Sequence, residues 1–95
     1  MQSAKSYRIK KYYGKRMIES KVKNILSVVL DIDESEINNG SSPETLRAWD
    51  SLNHFNIITA IEEEFEIHFD DVQILEMQSY KLICVIVIEA LECSK

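Results

Sequence analysis

Ninety-five residues, 45% hydrophobic and 28% charged, make one small globular domain that buries about 60–65% of its unfolded surface. Two glycines and one proline leave too few turn signals for an all-β meander, which needs one every 8–12 residues or so, and no apolar run approaches the roughly 18–20 residues of a membrane span. The formal net charge of −5 hides a split: residues 1–23 hold eight basic side chains against Glu19 alone, a balance of +7, while residues 24–95 hold three against fifteen acids, a balance of −12.

In chain order, residues 1–16 are rich in Lys, Arg and Tyr with no apolar period. They read as a flexible basic arm ahead of a domain over residues 17–95. Such a tail can bind nucleic acid, but a solvated terminus is the simpler reading and no nucleic-acid partner is expected. The arm also lacks the apolar core of a secretory signal, so a cytoplasmic protein is the default. From about Met17 to Leu30, Val22, Ile25, Leu26 and Val29 recur at helical spacing and predict the first helix. Residues 31–49 then form a long polar connection pinned by Ile32, Ile37 and Leu46; loops of this length are usually functional or anchored. Its opening run Asp31-Ile32-Asp33-Glu34-Ser35 begins like a calcium loop, but Glu36 stands where glycine is needed and Ser42 where glutamate is needed. No histidine or cysteine spacing suits zinc, so no metal is expected.

A second helix starts at Asp50-Ser51, with Asp50 as N-cap. Its inward stripe reads Leu52, Phe55, Ile58, Ile61 or Glu62, and Phe65. Glu62, Glu63, Glu64 and Glu66 crowd its far end, where the helix dipole disfavours them, which suggests that something other than stability keeps them there. Asp70-Asp71 begins a short helix holding Val72, Ile74 and Leu75. Ser79 caps a last helix from about Tyr80 to Glu92. Its run Ile83-Cys84-Val85-Ile86-Val87-Ile88 is strand-like in composition, yet no second such run exists to pair with it. The expectation is therefore an all-α bundle of four helices, three longer and one short, with the long loop between the first two. Cys84 and Cys93, on one helix, stand roughly 13 Å apart, too far for a disulfide, and read as free thiols.

Two chemistries compete for Ser51. Ser51, His54 and Asp50 suggest a hydrolase, but neighbours on one helix cannot supply an oriented base and separate oxyanion donors; no enzyme activity is expected. The alternative rests on a longer stretch. Residues 49–67, WDSLNHFNIITAIEEEFEI, preceded by the polar loop and followed by a short and a last helix, resemble the phosphopantetheine attachment region of acyl and peptidyl carrier proteins. The resemblance covers about residues 17–92 in element order.

That resemblance implies a 4'-phosphopantetheine arm, taken from coenzyme A and esterified to Ser51, holding an acyl or aminoacyl group as a thioester. It implies that Asp50 caps the helix and helps dock the phosphopantetheinyl transferase, and that Leu52 both anchors the helix and meets partner enzymes. Glu62 and Glu63 match the family's docking positions for partners with basic surfaces, such as acyl-loading ligases or synthases. Phe55, Ile58, Ile61, Phe65, Val72 and Leu75 are the candidates to line an acyl pocket. Asn56, in place of the usual acid, and Trp49, ahead of the motif, are departures that point to a specialised carrier in polyketide, lipid or ligase-loaded chemistry. A monomer is expected, with no membrane partner. An unmodified helical domain that binds a protein partner is the competing reading.

Overall fold

The computed structural model describes residues 14–93, so the basic arm over 1–16 lies almost wholly outside it. The described residues form four α-helices and no strand: α1 (Lys15–Leu30), α2 (Ser51–Phe65), α3 (Asp71–Glu76) and α4 (Tyr80–Cys93), with a short 3-10 turn at Glu34–Glu36 in the long loop. Three are long and α3 has six residues, matching the all-α bundle expected from the sequence.

Helix α1 is the central post. Ile18, Val22, Leu26 and Leu30 fall on one face at intervals of four and are all buried, so one stripe packs against both α2 and α4. From α2 come Ile57, Ile58, Ile61 and Phe65; from α4 come Tyr80, Ile83, Cys84, Ile86, Val87 and Leu91. The β-branched run of α4 is thus helical because its apolar face is buried in the core against α1, and tertiary burial overrides local preference. Tyr80 ties this arrangement together: its hydroxyl donates to the Glu19 carbonyl in α1 at 2.7 Å, and its N–H donates to the Ser41 carbonyl in the loop at 2.9 Å. Burial, aided by the neighbouring thiol, raises the Tyr80 phenol well above its usual range, and burial lifts Cys84 to about 11. Cys84 is a buried free thiol; the Cys93 side chain lies outside the description.

The helices end without glycine. Asp31 closes α1 and Glu66 closes α2, both in the left-handed region at φ 57° and 58°. Their N–H groups return to the Ser27 and Glu62 carbonyls, as an αL cap requires. Residues 31–50 are held by a chain of local bonds. Asp33 and Glu36 form a reciprocal capping box, which explains the acidic run that resembles a calcium loop. Asn38, Ser41, Ser42 and Thr45 exchange side-chain and backbone bonds. Ile37 is buried, and Ile32 and Leu46 pack partly against the core. The deepest anchor, however, is Trp49, only 1% exposed.

The predicted inward stripe of α2 needs correction in its first half. Leu52 is 71% and Phe55 60% exposed; the buried face starts at Ile57. At this end of α2 the buried apolar side chain is Trp49, from the loop just before the helix. The acidic end of α2 also differs from expectation. Glu62 accepts the Phe69 N–H at 2.9 Å and so fixes the chain leaving α2, and Glu64 pairs with Lys21 of α1 at 2.9 Å. Glu62 and Glu64 thus serve the scaffold as struts.

Candidate functional site

Ser51 is the first residue of α2 and is exposed. Its position follows from two neighbouring caps. The Asp50 carboxylate accepts the Asn53 N–H at 2.9 Å, while the Asn53 amide donates to the Ala48 carbonyl at 2.8 Å. Together they pin the end of the loop to the start of the helix. The N–H groups of Ser51 and Leu52 precede the first intrahelical bond, made by the His54 N–H to the Asp50 carbonyl, so the helix presents free donors and its positive dipole end beside the Ser51 hydroxyl. An anionic group esterified there meets favourable charge from the backbone.

Ser51 stands at the edge of an open cleft of about 480 Å³, within the range of small-molecule sites. Pro43, Trp49 and Asp50 line it from the loop; Ser51, His54 and Phe55 from α2; Ile74, Leu75, Met77 and Gln78 from α3 and the turn after it. Most of this lining is apolar.

His54 sets the geometry of these walls. The Trp49 indole N–H donates to His54 Nδ1 at 3.0 Å, and the two rings stack with centroids 6.2 Å apart. With Nδ1 accepting, Nε2 carries the proton and donates to the Ile74 carbonyl at 3.1 Å. Both ring nitrogens are therefore engaged away from Ser51, and neither is placed to act as its base. Among the described residues, no group of three or more His, Cys, Asp or Glu side chains is arranged to hold a metal, and no helix is long and apolar enough to cross a membrane.

Of the residues singled out for an acyl pocket, Phe55 and Leu75 line the cleft with Ser51 and Asp50. Ile58, Ile61 and Phe65 instead sit in the hydrophobic core, each at most 3% exposed. Val72 is 63% exposed and lies outside the cleft lining. Leu52, beside Ser51, points to solvent. Glu63 is exposed, whereas Glu62 is half-buried and bonded to Phe69. Trp49, His54, Pro43, Met77 and Gln78 were not foreseen as part of the site. The available signal was the Trp49–His54 spacing around the serine, but five positions spanning a loop–helix junction match no regular period.

No family model matches the chain. A curated relative does: it is 46% identical over 55 residues to the acyl carrier protein of Buchnera aphidicola subsp. Schizaphis graminum (strain Sg), a match covering 57% of this chain and 68% of that protein.

Proposed function

The chain belongs to the acyl carrier protein family, and from that premise we propose that it carries an acyl or aminoacyl group as a thioester on a 4'-phosphopantetheine arm attached to Ser51. The observation that carries the proposal is an exposed serine at the start of α2 on the edge of an open, largely apolar cleft. The free N–H groups of the first turn suit a phosphodiester. When attached, the arm supplies the thiol that forms the thioester; the chain itself supplies position, shelter and docking surface. Activation of the serine hydroxyl belongs to a phosphopantetheinyl transferase, since His54 is committed elsewhere. Asp50 keeps the serine at the helix mouth by capping it.

Docking divides along α2. Near Ser51 the exposed side chains are Leu52 and Phe55, joined from α3 by Val72 and Leu75, a patch suited to an apolar contact. Toward the far end Glu63, with Glu62 beside it, offers negative charge to a basic partner surface. Ligases or synthases that load or accept the cargo fit this pair of features, in a specialised pathway of polyketide, lipid or ligase-loaded type.

Incubation of the full chain with coenzyme A and a broad-specificity transferase tests the attachment by intact mass. One discrete adduct is expected, absent in Ser51→Ala. No adduct in the wild-type chain refutes the carrier reading and leaves a helical interaction domain.

A further inference from the structure

The cleft beside Ser51 and the hydrophobic core offer an attached chain two different places. The core is full. Val22, Leu26, Ile57, Ile61, Ile83 and Val87 have no accessible surface at all, whereas a void large enough for a water molecule would expose the side chains around it. An alkyl chain can enter there only by forcing close-packed neighbours apart. The cleft, by contrast, is open and about 480 Å³ in volume, and Ser51 stands in its wall.

We propose that the cargo is a short, uncharged acyl group sheltered in the cleft, and that a long alkyl chain is not taken into the core. The proposal rests on the reading that Ser51 bears the phosphopantetheine arm. Size comes first. An arm of about 20 non-hydrogen atoms, at roughly 20 Å³ each when packed, fills about 400 Å³. The remaining space takes roughly four more such atoms, an acyl group of about two to four carbons. A longer chain projects from the open side into solvent.

The walls decide the chemistry of that group. Their polar side chains spend donors on protein acceptors: the Trp49 indole on His54, His54 Nε2 on the Ile74 carbonyl, and the Gln78 amide on the Leu75 carbonyl at 2.7 Å. Among the described residues, no buried side-chain nitrogen or oxygen is left without a partner. No lysine or arginine lines the cleft, and its acidic side chain is Asp50, so a carboxylate on the cargo meets no counter-charge there. What the walls do offer is apolar surface. Phe55 and Leu75 line the cleft and are largely exposed, which leaves area for an acyl group to cover.

The test loads the full chain with a broad-specificity transferase and coenzyme A thioesters of butyrate, decanoate or succinate. The serine oxygen takes the acylated phosphopantetheine, and adenosine 3',5'-bisphosphate leaves. NMR then reads the cleft through the Met77 methyl and the indole N–H of Trp49, the one tryptophan of the sequence. The Ile61 and Val87 methyls report the core. Against the chain bearing the unacylated arm, butyryl is expected to shift the cleft signals and leave the core signals in place. Decanoyl is expected to do the same and no more, with a urea midpoint equal to that of the butyryl form. Succinyl, equal to butyryl in carbon number but ending in a carboxylate, is expected to shift the cleft signals less. Four results overturn the proposal: decanoyl shifts at Ile61 and Val87, a midpoint that rises from butyryl to decanoyl, a succinyl shift equal to that of butyryl, or cleft signals that ignore butyryl. A chain that accepts no arm refutes the attachment instead. Free butyryl- and decanoyl-pantetheine, titrated into the unmodified chain, then decide the cleft by the same signals.

Discussion

The two halves of α2 have the same helical backbone and opposite duties. From Ser51 to Asn56 the side chains that look like core, Leu52 and Phe55, face solvent. From Ile57 to Phe65 the large apolar side chains are buried in the core that α2 shares with α1, and two of the glutamates that look free, Glu62 and Glu64, hold Phe69 and Lys21. Apolar character near the serine thus belongs to the surface, and part of the charge at the far end belongs to the scaffold. The lesson is that one amphipathic period does not describe a helix whose first turn rests on a loop and whose last turns rest on a core.

The largest effect expected from breaking this contrast is at Phe65. Phe65→Ala should cost about 3–5 kcal/mol, seen as a lower midpoint in urea unfolding. Phe55→Ala at the other end should stay within about 0.5 kcal/mol while weakening partner binding. Equal losses at both sites would erase the distinction.

Next in size is a pH effect from the core that buries the second half of α2. Cys84 ionises at about 11 in the folded chain against a reference of 9.0, and burial shifts Tyr80 in the same direction. A raised folded value means that the unfolded chain releases its proton first. The stabilisation, about 2–3 kcal/mol for Cys84, is therefore complete below pH 9 and lost as pH rises toward 11. Unfolding followed at pH 8 and pH 10.5 should show the drop, and Cys84→Ala, itself less stable, should show a smaller one.

Glu62 sharpens the comparison on the charged side. Glu62→Ala removes the acceptor of the Phe69 N–H and should cost about 1–3 kcal/mol, whereas Glu62→Gln, which keeps an oxygen there, should cost less. Glu63→Gln should leave stability unchanged and reduce the salt dependence of partner binding. Lys21→Met should cost less than Glu62→Ala, about 0.2–1 kcal/mol at most, because its pairing with Glu64 is partly exposed and screened.

The number, order and type of the helices were legible in the residues, because each has a periodic apolar face or a capping side chain: Val22 and Leu26 in α1, Asp50 before α2, Ser79 before α4. Ser79 does accept the Leu82 N–H at 3.1 Å, and Asp50 caps as expected. These are local bonds and local periods, which a sequence states directly. α1 ends at Leu30 as its apolar period indicates, although left-handed Asp31 and Glu66 stand where glycine is the usual marker. The tertiary structure alone decided which apolar side chains became surface, which glutamates became struts, and that Trp49 and His54 stand together beside Ser51. Those outcomes depend on contacts between the loop, α2 and α3, and no spacing within any one element encodes a contact that exists only when three elements meet.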